Sequence, residues 1–130
     1  AQAWNLRGKP KPTRRQFVES VLKHVPDSEV KSKSRIAAQT PTEDIQIITQ
    51  MIGNGSQISA QDTVPFVLYC AARWLDNYEE AIWQTMSGGG DVDTTCAVVG
   101  GIVACYTGVE AIPALWRDKR EALPRWAFED

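Results

Sequence analysis

The sequence has a single histidine, three cysteines and no charge of one sign in large excess. His24 has no second histidine with which to build an imidazole metal site, so we interpret it as structural. The cysteines, Cys70, Cys96 and Cys105, are odd in number and form no CxxC pair. Each lies in an apolar helical pattern. This usage predicts buried, reduced thiols and a cytoplasmic location.

Long hydrophobic runs are also missing. The longest, residues 96–106, falls short of the roughly 20 residues that a helix needs to cross a bilayer. The formal net charge of −2 gives no bulk attraction to nucleic acid or to acidic membranes, and we expect neither as a partner. A chain of 130 residues, 43% of them hydrophobic, is long enough to form one domain with a core.

No convincing strand is present, and apolar residues recur at helical spacing instead. Phe17, Val18, Val21, Leu22 and Val25 form one such stripe. Capping residues precede many of these segments, and glycine or proline follows them. We predict helices over 14–25, 29–39, 43–52, 64–74, 78–86, 95–107 and, despite Pro113, 109–121, with Thr13, Ser28, Thr42 and Asn77 as N-caps and a loosely docked tail over 123–130.

The predicted helix at about 95–107 is apolar on every face. A helix of that kind is buried all round in a globular protein. The predicted fold class is therefore all-α, a multi-helix orthogonal bundle around this central buried helix. Trp74, Trp83 and Trp116 lie on apolar helix faces, and we expect them in the core rather than stacked on a ligand.

A basic segment lies near the start of the chain, where prolines at 10 and 12 interrupt any helix. Its cations are Arg7, Lys9, Lys11, Arg14 and Arg15. They form either an anion-binding patch or a solvated surface loop. We favour the loop, since no aromatic residues interleave the charges.

The most informative segment is 87–95, with the sequence SGGGDVDTT. Its glycines allow positive φ and close approach by another group. Asp91, Asp93 and Thr94 then place oxygen atoms at the start of the apolar helix. Capping alone needs only one such residue. Two carboxylates so close together favour a hard cation such as Mg²⁺ or Mn²⁺ between them.

Two other sites share parts of this pattern. A calcium loop of the EF-hand type needs glycine at its sixth position and glutamate at its twelfth, where this chain has Cys96 and Ile102, so that interpretation fails. The D-x-D-x-T string of haloacid-dehalogenase phosphatases also fits residues 91–95. That motif follows a buried strand, and a helix and glycines precede it here. A phosphatase stays a minor alternative.

The ordered set of motifs resembles the C-terminal signature of the ADP-ribosylglycohydrolases. The matching residues are 89–94, 97, 100–101 and 106–108, preceded by 59–65, 68–69 and 78–82 and followed by 112–113 and 116. The resemblance covers residues 18–116. It implies an all-α fold with a binuclear Mg²⁺ or Mn²⁺ centre in a cleft. It also implies that Asp91, Asp93 and Thr94 are metal ligands and that Gly88, Gly89 and Gly90 approach the substrate.

The chain departs from that family in length and in one motif. Family members are longer, and their N-terminal part carries a second acidic cluster that completes the metal pair. The nearest string here, Thr42-Glu43-Asp44, lies at a predicted helix start. We therefore expect residues 1–130 to be one all-α region, the C-terminal part of such a domain, with half of the metal site. A missing N-terminal part or a second copy would complete it.

The resemblance implies metal-dependent hydrolysis of the glycosidic bond between ADP-ribose and a protein side chain or a related small ADP-ribosyl compound. It assigns no catalytic residue in this chain, and whether the chain is an enzyme by itself stays open. The alternative is a non-catalytic helical module that binds ADP-ribose or a partner and keeps a partial metal site.

Overall fold

The computed structural model describes residues 1–122 and 124, and its regular elements over that range are all helical. They are α1 (Gln2–Asn5), α2 (Arg14–Leu22), α3 (Glu29–Gln39), α4 (Ile45–Ile52), α5 (Ala60–Arg73), α6 (Tyr78–Ser87), α7 (Val92–Thr107) and α8 (Ala114–Lys119), with a 3₁₀ turn over Val109–Ala111. The all-α fold class is confirmed. Apart from residue 124, the predicted tail lies outside the described residues. Across the described part, each helix is too short or too polar to span a membrane.

Helix α5 occupies the centre of the structure. Nine of its residues are buried, and it contacts α2, α3, α4, α6 and α7. Phe66 and Tyr69 are fully buried on a face shared with α4 and α7, while Leu68 and Leu75 pack with α1 and α2. Burial of each such side chain stabilises the fold by about 1.5–3 kcal/mol. The two core clusters therefore meet at α5.

Helix α7 is buried on one face only, so the prediction of burial all round is wrong. Thr95, Val99, Gly100 and Val103 are buried, whereas Val98 on the other side is 44% exposed. The buried face packs against α5 and α6. Among the described residues, no element covers most of the opposite face, which is apolar all the same.

Several helix ends differ from the prediction. α4 is capped by Asp44, whose carboxylate accepts from the Gln46 amide at 2.9 Å, and not by Thr42. α5 begins after Ser59, so Pro65 lies inside the helix, and α7 begins after Asp91. α2 ends at Leu22, which leaves His24 exposed beyond the helix, 3.5 Å from the Gln2 side chain.

The single helix predicted over 109–121 is wrong. Pro113 lacks an amide hydrogen and disfavours helical backbone in the residue before it. Ile112 is accordingly extended, with φ −76° and ψ 125°, and separates the 3₁₀ turn from α8.

The tryptophans differ in their surroundings. Trp74 is half-buried beside the core, and its ring meets Tyr69 edge-on at 6.3 Å. Trp83 is 52% exposed, so its predicted place in the core is wrong: it lies on the solvent side of α6. Trp116 is half-buried between Tyr78 and Trp83, with ring centroids at 6.3 and 6.1 Å.

The basic segment is held against the fold and is not simply a solvated loop. The Lys9 carbonyl accepts from the Tyr106 hydroxyl at 2.7 Å. The Lys11 ammonium lies 2.6 Å from the Asp76 carboxylate and also donates to the Arg73 carbonyl. The Lys9 backbone and the Lys11 side chain therefore attach this segment to α7 and to the end of α5.

Two adjacent glycines in α7 provide a matched test of how α6 packs against α7. A Cβ built on Gly101 meets nothing within 4 Å, so Gly101→Ala should raise the free energy of unfolding by about 0.5–1 kcal/mol through helix propensity. A Cβ on Gly100 would lie 2.9 Å from the Tyr78 hydroxyl, so Gly100→Ala should lower the free energy of unfolding by about 1 kcal/mol. Urea unfolding of both variants measures the difference, and equal effects would contradict the packing of α6 on α7.

The cysteines should differ in reactivity. Burial raises the pKa of the Cys70 thiol from its ordinary value of 9.0 to about 12, so native protein at pH 8 should leave Cys70 unmodified by an alkylating reagent. Cys96 and Cys105 are only half-buried, so the prediction of buried thiols is correct for Cys70 alone, and these two should react first. Because the folded state holds the Cys70 proton more tightly, its stabilising effect should persist below about pH 9 and fall as the pH rises towards 12. Peptide mass mapping of the alkylated protein identifies which cysteines have reacted. Rapid labelling of Cys70 in the native protein would contradict its burial.

Candidate functional site

Two glycine-containing loops pack against each other beside the start of α7. Gly89 and Gly90 have φ of +64° and +74°, a region that favours glycine. The Asn54 side-chain amide donates to the Gly88 carbonyl at 3.0 Å. A Cβ added at Gly90 would overlap Asn54. The loop at 88–90 therefore owes its shape both to its glycines and to the turn beneath it.

That turn, residues 53–57, is held by Asp62 in the first turn of α5. The Asp62 side chain is almost fully buried, and its Oδ2 accepts from the Gln57 amide at 2.9 Å. The Asp62 carbonyl accepts from the Gly55 amide at 3.2 Å. Sequence analysis placed Asp62 ahead of the helix and missed this role. The available signal was an acid closely following a Gly-Asn-Gly-Ser turn.

Asp91 is the N-cap of α7 and lies against this turn. Its Oδ1 accepts from the Thr94 amide at 3.4 Å, a long and weak contact, and its carbonyl accepts from the Thr95 amide at 2.9 Å. A Cβ built on Gly55 would lie 3.3 Å from the Asp91 Cβ and 3.4 Å from the Thr63 hydroxyl. Because Gly55 has no side chain, both Asp91 and Thr63 can lie close to its backbone.

Asp93 and Thr94 occupy the first turn of α7 and are exposed. The positive end of the helix dipole stabilises a carboxylate there. Burial raises the pKa of the nearby Cys96 thiol, and the Asp93 carboxylate raises it further. The structure therefore brings Asp91, Asp93 and Thr94 into one turn with their oxygen atoms available to a ligand.

The chemical type of these donors suits a hard divalent cation. Carboxylate and hydroxyl oxygens suit Mg²⁺ and Mn²⁺, which take about six ligands. Within residues 1–122 and 124, no group of three or more His, Cys, Asp or Glu side chains is placed to hold a metal ion. Glu43 pairs with Arg73 at 2.8 Å and Asp44 caps α4, so neither joins Asp91. The remaining ligands would have to come from outside this turn.

The turn that carries Asp91, Asp93 and Thr94, which we call the acidic turn, lies at one end of the exposed face of α7. Successive residues at helical spacing, Thr94, Ala97, Val98 and Gly101, continue that face. Farther along, a largely apolar groove of about 870 Å³ runs between α7 and the pair α1 and α2. His24 is exposed and lines this groove.

Comparison with known proteins gives a consistent result. A model of the ADP-ribosylglycohydrolase family matches residues 1–129. The ADP-ribosylhydrolase ARH3 of Mus musculus is 30% identical over 84 residues, which cover 57% of this chain and 22% of the mouse protein. That of Gallus gallus is 26% identical over 144 aligned positions, covering 85% of this chain and 38% of the relative. An uncharacterized protein of Archaeoglobus fulgidus is 31% identical over 103 residues, 78% of this chain and 32% of its own length.

No solved structure matches this chain. The chain spans between about a fifth and two fifths of the length of the relatives above. The family match nevertheless runs through every described helix. This chain belongs to the ADP-ribosylglycohydrolase family.

Proposed function

We propose that this chain is part of a metal-dependent hydrolase that cleaves the glycosidic bond between ADP-ribose and a modified protein side chain or a related small ADP-ribosyl compound. Family membership and relatives named ADP-ribosylhydrolase support this. The observation that carries the proposal is the turn of Asp91, Asp93 and Thr94 at the start of α7, fixed beside a glycine loop.

In this proposal Asp91, Asp93 and Thr94 hold Mg²⁺ or Mn²⁺, one of two ions in the complete centre. A bound ion of this kind supplies Lewis-acid stabilisation and can activate water. Asp91 uses one carboxylate oxygen as the helix cap and keeps the other for a ligand. Gly89 is the loop glycine that lets the backbone approach ADP-ribose closely, because Gly88 packs against Phe66 and Gly90 packs against Asn54. The Asn54 side chain keeps that loop in place.

We also propose that residues 1–130 form the C-terminal portion of the catalytic domain. The relatives are much longer than their matched segments, and the exposed face of α7 is apolar. An N-terminal portion, or a second copy, would cover that face and supply the remaining ligands. The three free cysteines support a cytoplasmic location.

A second candidate is a non-catalytic helical module that binds ADP-ribose or a partner. The observation that favours it is that, in the part of the chain that the structure describes, metal-type ligands come from a single turn. Binding of ADP-ribose without turnover distinguishes this module from the hydrolase.

Metal binding should depend on Asp93. The chain should bind Mn²⁺ weakly, and Asp93→Asn should lower that affinity about tenfold, because ligand charge sets the affinity of oxygen sites. Asp93 is exposed, so the variant should keep the helical fold. Asp118→Asn, at an exposed position on α8, is the matched control and should bind like the parent chain. Calorimetric titration measures this, and equal Mn²⁺ affinity in both variants would remove Asp93 from the site.

Hydrolysis should require the rest of the domain. We expect the chain to release ADP-ribose from an ADP-ribosylated protein only when an N-terminal portion, such as that of the Archaeoglobus fulgidus relative, is produced with it and Mg²⁺ is present. Asp93→Asn should abolish the released ADP-ribose, which chromatography measures. A stable, metal-loaded pair with no release would favour the non-catalytic module, whereas full activity of the chain alone would contradict the partial-domain proposal.

A further inference from the structure

A cationic cleft lies at the opposite end of α5 from the acidic turn. Its volume is about 360 Å³, and its charged lining consists of Lys11, Arg14, Arg15, Arg73 and one acid, Glu43. The chain as a whole carries a formal net charge of −2. The local excess of cations is therefore a property of this surface and not of the overall composition.

The cleft is separate from the proposed metal site. Asp91 and Thr63 both approach Gly55, and Arg73 follows Thr63 by ten positions on the same helix. At 1.5 Å per residue, Thr63 and Arg73 are about 15 Å apart along α5. A ligand bound in the cleft would not be in contact with the acidic turn.

Two arginines of the cleft are held in place but keep unused donors. The Arg14 guanidinium lies 4.8 Å above the Tyr69 ring centre and donates to the Thr40 carbonyl. The Arg73 guanidinium pairs with the Glu43 carboxylate at 2.8 Å. In both side chains the Nε atom is buried and has no acceptor. A ligand cannot reach a buried Nε, but the contacts above use only one terminal nitrogen of each guanidinium, so the other terminal nitrogen keeps its donors for an anion.

The neighbouring backbone adds to the same surface. The capping box at the start of α2 uses the Thr13 and Gln16 amides. The first amides of the helix, those of Arg14 and Arg15, have no partner within the helix, and a helix start attracts negative charge. Lys11 ties this segment to the end of α5 through the Arg73 carbonyl at 3.0 Å. The Lys11 side chain therefore links the two walls of the cleft.

We propose that this cleft binds the phosphate or diphosphate group of a small anionic ligand. Guanidinium groups present donors that match phosphate oxygens, often two at a time. Asp76 already pairs with Lys11, and Glu43 occupies part of Arg73. The guanidinium groups of Arg14 and Arg15 have no carboxylate partner among the described residues. The bound anion competes with Glu43 for Arg73 and adds contacts to Arg14, Arg15 and the start of α2.

Titration with inorganic pyrophosphate, without divalent cations and at low ionic strength, tests this proposal. Calorimetry should show saturable binding at one site. Arg15→Gln and Arg73→Gln should each weaken it at least fivefold, whereas Arg35→Gln, an exposed arginine of α3 outside the cleft, should change it less than twofold. Glu43→Gln should strengthen binding several-fold, because it frees Arg73 from its ion pair.

Three results would overturn the proposal. These are absence of saturable binding, equal weakening by Arg15→Gln and Arg35→Gln, and loss of binding in Asp93→Asn, which would place the anion at the acidic turn. Circular dichroism establishes whether each variant is folded. Arg15→Gln and Glu43→Gln change exposed side chains and decide the matter if Arg73→Gln unfolds. Because Asp93→Asn should leave pyrophosphate binding intact, failure here is distinct from failure of the hydrolase proposal.

Discussion

The burial of α5 sets the positions of both polar surfaces. Phe66 and Tyr69 in its middle are inaccessible to solvent, and each contributes about 1.5–3 kcal/mol of burial free energy. Moving the helix would disturb both core clusters at once. Asp62 in its first turn and Arg73 at its end are therefore fixed, about 15 Å apart. One helix thus positions the turn beneath the acidic cluster and one wall of the cationic cleft.

The acidic turn owes its geometry to a short chain of backbone contacts. Asp62 holds the turn at 53–57, and Asn54 within that turn holds the Gly88 carbonyl. Positive φ at Gly89 and Gly90 lets the chain enter α7 directly behind this contact. Such support from a buried helix fixes the shape of the turn that carries Asp91, Asp93 and Thr94. It also confines the carboxylates to one side of the structure.

The exposed face of α7 connects the fold with the family comparison. Val98, at 44% exposure, is part of an apolar surface that begins at the acidic turn. The matched relatives are between about two and a half and five times as long as their aligned parts, as the covered shares of 22–38% imply. Additional chain from such a protein would remove that apolar surface from water, which is favourable in proportion to its area.

Local patterns in the sequence determined the helical fold class, the approximate position of most helices and the placement of Asp91, Asp93 and Thr94 in one turn. Capping preferences and periodicity act within a few residues, so they are readable without a fold. They failed at Pro113, where the proline separates two helical segments, and at the start of α4, where Asp44 and not Thr42 is the cap.

Only tertiary structure decided the rest. The apolar composition of α7 predicted burial all round, but burial depends on which elements are present to cover each face. The role of Asp62 and the contact of Asn54 with the glycine loop join residues that are distant in sequence. The cationic cleft arises in the same way, because Arg73 reaches Arg14 and Lys11 only when α5 packs against α2. Residue types and spacing therefore fix the available chemistry, whereas packing between distant segments fixes where those groups meet.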